Sequence, residues 1–178
     1  TIAFAGGLAG QDIIDIIDIF DSEKEKWFTG RLKQPRMFLT GCGVGEYIMF
    51  AGGNASEGLS DLVDIFNVKT HEWSTARLSQ PRSGLTSVVV GDKALFAGGY
   101  CYKGNGTFGL SDTVDIFDVI SGEWTISSLS QKRGNLSSAS VSDIAIFVGG
   151  DHLNDGSGRA SPVVDYFNCQ TMNWSNVL

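Results

Sequence analysis

The chain has 178 residues, 42% hydrophobic and 11% aromatic, with 23 Gly, 3 Pro and a formal charge of −7. That size and apolar content suffice to bury a core, and many Gly with little Pro suit tight turns between short strands better than long helices. The acidic balance argues against nucleic acid and against an anionic membrane surface, since both need basic residues, and no apolar run is long enough to insert across a bilayer.

In chain order, "TIAFAGG" (1–7) reads as a strand closed by paired glycines. "DIIDIIDIF" (12–20) carries Asp at every third position, which alone resembles one face of a helix. The rest of the chain overrides that impression. Asp15 aligns with Asp61 and Asp112 just ahead of a strand, and Asp18 aligns with Asp64, Asp115 and Asp165 inside one. Gly-Gly pairs begin at 6, 52, 98 and 149, and Trp falls at 27, 73, 124 and 174. Phe20, Phe66, Phe117 and Phe167 each precede a Trp by seven residues, and Asp18, Asp64 and Asp115 each precede the next Gly-Gly by 34. Only the step from Gly-Gly to Asp varies, as 12, 12, 17 and 16.

The third copy shows a whole unit. "SGLTSVVV" (83–90) and "KALFAGG" (93–99) read as strands joined by a Gly91-Asp92 turn, and "TVDIFDV" (113–119) and "EWTISSL" (123–129) as strands joined by a turn at 121–122. β-branched and aromatic residues dominate these runs, as a half-buried pleated surface favours. Fixed spacings imply strands paired in register, because a slip of one residue turns every side chain to the other face. A free spacing implies a surface loop, where added residues cost little.

Four-stranded units of this length, each marked by Gly-Gly and Trp, are the signature of β-propeller blades. With Gly-Gly closing strand two, Phe in strand three, Trp seven residues later and Pro35-Arg36 or Pro81-Arg82 leading into the next unit, the chain resembles the kelch repeat family over essentially its whole length. The third linker departs, with Lys132-Arg133 in place of Pro-Arg, though Gln131 still matches Gln34 and Gln80. The expected fold is all-β, with kelch-type blades at 1–32, 33–78, 79–129 and 130–178, the first lacking its innermost strand. Phe and Trp of each unit are expected to fill the space between blades. The resemblance also implies a larger ring, often of six blades, closed by a strand shared between the chain ends. A chain that begins at Thr1 is expected to lack its true N-terminus, so the absence of a leader carries no weight.

Loops alternate between the two ends of a four-stranded meander. The variable loops (8–15, 54–61, 100–112, 151–162) therefore share one face with the linkers. The resemblance implies that such a face binds partner proteins. A partner protein or a glycan is expected there, with contact candidates Arg36, Arg82 and Arg133 in the linkers and Tyr100, Tyr102, Phe108, His152 and Arg159 in the loops. Arg and Tyr are frequent hot-spot types. The three Arg also admit a structural role, bonding a neighbouring blade's carbonyls.

Chemical motifs do not accumulate. Residues 104–109 spell G-x-G-x-x-G but precede a strand, whereas a dinucleotide fingerprint opens a helix. Tyr100-Cys101-Tyr102 resembles a feature of copper radical oxidases, yet His71 is expected at the opposite end from His152. The Asp set (18, 64, 115, 165) repeats with the fold and suits structural hydrogen bonding. No metal or cofactor is expected, and a non-enzymatic interaction or scaffold module is favoured over a kelch-like oxidase or sugar epimerase. The alternative outside enzymology is a structural subunit that assembles with copies of itself through open blade faces.

Cys42, Cys101 and Cys169 fall at unrelated positions, so no disulfide framework is expected. Four N-x-S/T sequons, at Asn54, Asn105, Asn135 and Asn173, lean toward a secreted, glycosylated protein, with a cytoplasmic location as the alternative.

Overall fold

A computed structural model describes residues 1–104, 106–152 and 160–177, and these form strands and turns without a helix. Four antiparallel sheets follow one another along the chain. Sheet 1 has three strands, Ile2–Ala5, Ile16–Asp21 and Lys26–Arg31. Sheet 2 has four, Thr40–Val44, Tyr47–Ala51, Leu62–Asn67 and Trp73–Arg77. Sheet 3 repeats this with Thr86–Val90, Lys93–Ala97, Thr113–Asp118 and Trp124–Ser128. Sheet 4 does so with Ser137–Val141, Ile144–Val148, Val164–Asn168 and Asn173–Val177. In every sheet the strands lie in chain order, a blade-like meander.

The register is the same in each copy. Thr40 pairs with Ala51 and Thr86 with Ala97, and Phe66, Phe117 and Phe167 stand opposite Trp73, Trp124 and Trp174. Turns between the third and fourth strands are set by the residue after each Phe. Asp21, Asn67, Asp118 and Asn168 accept the backbone amides two and three residues on, a side-chain mimic of a turn. The paired glycines have a steric cause. Gly98 and Gly99 hold φ of 66° and 103°, and a Cβ on Gly98 would lie 2.6 Å from the Arg133 carbonyl oxygen. The amide of Gly99 donates to that same oxygen at 2.8 Å, which ties sheet 3 to the linker entering sheet 4.

Three apolar clusters sit between successive sheets. Ile17, Ile19 and Leu32 of the first unit meet Phe50 and Phe66. Met49, Val63 and Ile65 meet Ala94 and Phe96, and Leu95, Val114 and Ile116 meet Phe147 and Phe167. The innermost strands also touch through hydroxyls. Thr40 Oγ1 lies 2.7 Å from Ser87 Oγ, and Thr86 Oγ1 lies 2.8 Å from Ser138 Oγ.

The tryptophans depart from expectation. Trp124 and Trp174 do pack against the clusters between sheets 2 and 3 and between sheets 3 and 4, each stacked on a Phe of its own sheet, 5.8 Å from Phe96 and 5.7 Å from Phe147. Trp73 leans on Gly30 of sheet 1 but stays 39% exposed, and Trp27 is 62% exposed. Trp27 and Phe20 lie on the face of sheet 1 that no described sheet covers, so the filling role ends there.

Arg36, Arg82 and Arg133, expected among the partner contacts, are fully buried. Each guanidinium reaches into its own sheet and pairs with Asp64, Asp115 or Asp165. Arg82 Nη1 also donates to the Gly98 and Thr113 carbonyls, both at 2.7 Å, and Arg36 and Arg133 make the same two bonds in their sheets. With every exposed surface gone, these residues cannot touch a partner. They clamp the end of strand two to the third strand. Burial pulls their guanidinium pKa values down, and the adjoining carboxylates push them back up in part.

Candidate functional site

Three of the four loops expected between the second and third strands are short antiparallel hairpins, and most of the fourth, 151–162, lies outside the described residues. Leu8–Ala9 pairs with Asp12–Ile13, Asn54–Ala55 with Gly58–Leu59, and Tyr100–Tyr102 with Phe108–Leu110. The third is the longest, and its tip closes where the Gly106 amide donates to the Lys103 carbonyl at 2.8 Å.

Its three aromatic residues divide into two roles. Tyr100 turns inward over Gly134, where an added Cβ would lie 2.8 Å from its ring. Its hydroxyl donates to Asp151 Oδ2 at 2.5 Å and accepts from Asn135 Nδ2 at 3.1 Å. Asn135 Nδ2 also reaches Asp151 Oδ2 at 3.2 Å. Burial first, then the hydrogen bond to the Asp151 carboxylate, pushes the Tyr100 pKa up to about 12. Tyr100 is therefore a half-buried buckle between sheets 3 and 4, its hydroxyl already engaged.

Tyr102 and Phe108 point outward. They face each other across the hairpin with ring centroids 4.8 Å apart, 46% and 59% exposed. The Tyr102 hydroxyl stands over Gly58 of the neighbouring hairpin, 3.1 Å from the place of its missing Cβ. Gly58 in turn lines an open cleft of about 610 Å³ with Lys33, Gln34, Glu57, Asp61 and Arg77. An apolar pair thus adjoins a charged cleft. Within the cleft Arg77 Nη1 holds Asp61 Oδ1 at 2.5 Å, and Ser60 Oγ donates to Gln34 Oε1 at 3.1 Å.

His152 follows Asp151 and is half-buried. Arg159 and Asn105 lie outside the described residues. His71 stands in the turn before Trp73, with its ring 5.8 Å from Phe66 and 6.1 Å from Phe28. Among the described residues no three His, Cys, Asp or Glu side chains come together as a metal site. All three cysteines are free, and burial pushes the Cys42 pKa up to about 12.

Two features escaped the sequence. The charged cleft draws on a linker, a hairpin and a fourth strand, so no local pattern announces it. Phe38 was legible in retrospect. It holds φ of 55°, as Gly84 and Asn135 hold 59° and 51° at the matching positions, and it is 63% exposed. A bulky side chain where the other copies carry Gly or Asn marks a site tolerating strain.

No protein-family model and no curated protein matches the chain. A solved structure described as "Structure of YjhT" is similar, with 18% identity and a TM-score of 0.73. The alignment covers 93% of this chain and 53% of that one, so the chain spans about half the length of that structure. At such identity the likeness is one of fold, and the chain shares the blade-like all-β architecture of a protein about twice as long.

Proposed function

We propose that the chain is an arc of kelch-type propeller blades serving as a non-enzymatic interaction module, with the hairpin face as its binding surface. The observation that carries this is the Tyr102–Phe108 pair, held apart from the core on the longest hairpin and set beside a charged cleft. Large amphipathic side chains with few rotatable bonds, ringed by polar groups, suit protein recognition. A folded partner protein is the favoured ligand, and a glycan stacking on Tyr102 is the second.

The test replaces Tyr102 and Phe108 together by Ala. Both are exposed, so the melting temperature stays within a few degrees of the parent. Binding to the partner, isolated by photocrosslinking from position 108, falls at least about tenfold, in line with loss of hot-spot aromatics. Undiminished binding by the double variant refutes this assignment. Release by a simple sugar transfers it to a glycan.

A second use is favoured by one observation. Sheet 1 exposes Ile2 and Phe4 with Trp27 on a face that no described sheet covers. Such an apolar face supports assembly with other copies. Light scattering at high concentration separates the two, because a monodisperse monomer excludes assembly.

A further inference from the structure

The grooves between the outer strands of successive sheets share one frame and differ in what they present. The backbone amides of Lys33, Ser79 and Ser130 donate to the carboxylates of Asp64, Asp115 and Asp165 at 3.0, 2.9 and 3.1 Å, so these linker positions are equivalent. Serine suffices for that bond in two of the three. The Lys33 side chain is exposed and forms no ion pair among the described residues, in a chain of 20 acidic and 13 basic residues. Its charge is therefore surplus to the fold.

The fourth strands differ as well. Asp64 stands opposite Thr75, where Asp115 and Asp165 stand opposite Ile126 and Asn176. Trp124 and Trp174 pack against the clusters between sheets, whereas Trp73 lies over Gly30 and stays 39% exposed. Between sheets 1 and 2 this leaves a cleft of about 260 Å³, lined by Arg31, Lys33, Trp73 and Thr75. Lys33 and Thr75 also line the cleft of about 610 Å³ beside Gly58, so the two run together as one groove along Trp73–Arg77. Four steps of an extended strand make it about 13 Å long.

We infer that this groove binds an extended peptide segment of a protein partner, one with an aromatic residue two positions from a single Asp or Glu. The aromatic ring stacks on the open side of Trp73, and the carboxylate meets Lys33. The spacing follows from the groove. Side chains of an extended chain recur on one face at every second residue, about 7 Å apart. Trp73 and Thr75 are so spaced, and Lys33 shares both clefts with Thr75.

Charge sets the composition of the segment. Arg31 holds Asp15 at 2.7 Å, Arg77 holds Asp61 at 2.5 Å, and Asp64 holds Arg36, so among these groups only Lys33 is left for a ligand. Glu57, exposed and unpaired at the hairpin end, opposes a second negative charge there. With a net charge of −7, that disfavours a polyanion. The length suits about five extended residues better than a single sugar ring. The groove deepens the proposed function by naming a segment that the partner brings, and it rests on that reading only in taking the partner to be a protein.

The probes are two fluorescein-labelled peptides of opposite order, Phe-Ser-Glu-Ser-Gly and Gly-Ser-Glu-Ser-Phe, because a groove lined by side chains accepts either chain direction. Fluorescence polarisation should show saturable binding of at least one. Changing its Glu to Gln should weaken binding about threefold to fivefold, the size of an exposed ion pair. Lys33→Ser, the residue of the matching linkers, should cost the same factor, and the two changes together no more, which marks them as partners. Changing the peptide Phe to Ala should cost about fivefold. Lys132→Ser removes an equal charge elsewhere and should leave binding unchanged. The Tyr102→Ala, Phe108→Ala variant should bind the peptide as the parent does, so the groove and the aromatic pair fail separately. Absence of binding by both peptides at about 1 mM, or binding indifferent to Lys33→Ser, overturns the assignment. Displacement by millimolar glucuronate overturns the choice of a peptide in favour of an acidic sugar.

Discussion

Arg82→Met tests whether the linker arginines hold the fold together. The change keeps an unbranched apolar stem and removes the guanidinium. That group donates to the Gly98 and Thr113 carbonyls at 2.7 Å and to the Phe96 carbonyl at 3.3 Å, and it pairs with Asp115. Once it is gone, the Asp115 side chain, 4% exposed, keeps the Ser79 amide at 2.9 Å as a partner. Breaking a buried pair from one side costs about 3–5 kcal/mol, because the remaining charge stays buried without its counter-ion. Arg77→Met is the contrast. Arg77 holds Asp61 at 2.5 Å, but its side chain is 71% exposed, and exposed pairs contribute about 0–1 kcal/mol. Urea titration followed by tryptophan fluorescence reads both. With a slope of about 2 kcal/mol per molar, the Arg82 variant loses about 1.5–2.5 M in midpoint and the Arg77 variant at most about 0.5 M. Adding Asp115→Leu to Arg82→Met should recover part of the loss, since replacing both members by apolar groups removes the stranded charge. Equal midpoints for the two single variants would refute the clamp.

Trp124→Ala should cost about 3 kcal/mol, since Trp124 stacks on Phe96 of its own sheet and packs into the cluster shared with sheet 2, whereas Trp27→Ala should cost about 1 kcal/mol or less despite the same place in the repeat; thermal unfolding of the two variants decides. Stability should fall in alkali. Burial raises Cys42 from 9.0 to about 12, and burial with the Asp151 hydrogen bond raises Tyr100 from 10.0 to about 12. Both groups hold their protons more tightly when folded, so their contribution is complete below pH 9 and disappears as the pH rises through about 12. Urea midpoints in a Cys42→Ala, Tyr100→Phe variant should decline less over that window, and an unchanged slope would refute the assignment. For secretory expression, intact mass before and after N-glycosidase should show glycan at exposed Asn173 and little at Asn135, whose amide is held between Tyr100 and Asp151; full occupancy at Asn135 would contradict this.

The long strands were legible because their cause is periodic. A four-stranded meander repeats its spacing, and Gly98, Phe117 and Trp124 mark three consecutive strands of one sheet at distances that cannot vary without breaking register. The hairpins within the variable loops were not legible, because Asn54–Ala55 and Gly58–Leu59 are two residues each and carry no alternation to detect. Of the two roles open to the arginines, the contact role fails for a related reason and the structural one holds, with the carbonyls in the sheet each linker enters rather than in a neighbouring one. A linker between sheets ordinarily runs over the surface, and a charged residue in it reads as solvent-facing. Each Arg is buried by a carboxylate some 30 residues further on, Asp64 for Arg36 and Asp165 for Arg133, and by carbonyls freed where strand two ends. The repeat did hold a clue. Arg and Asp recur at matched positions in the same three copies, and a recurrent pair of opposite charges is expected to meet.

The same clamp explains why variation gathers on one face. The Arg133 carbonyl accepts the Gly99 amide, the Arg82 guanidinium donates to the Gly98 and Thr113 carbonyls, and the Ser111 amide donates to the Gly99 carbonyl. Both feet of the loop between the second and third strands are thereby fixed by bonds that do not depend on the loop's own sequence. Residues inserted between such feet add closure entropy that grows only slowly with length. The third hairpin can therefore carry Tyr102 and Phe108 into solvent at little cost to the sheets beneath it, whereas an insertion at the opposite end would disturb turns whose Asp21, Asn67, Asp118 and Asn168 caps require a set number of residues. The proposed binding surface, Tyr102 and Phe108 with the cleft beside Gly58, thus lies on the side where length can vary and not on the side where the turn caps fix it.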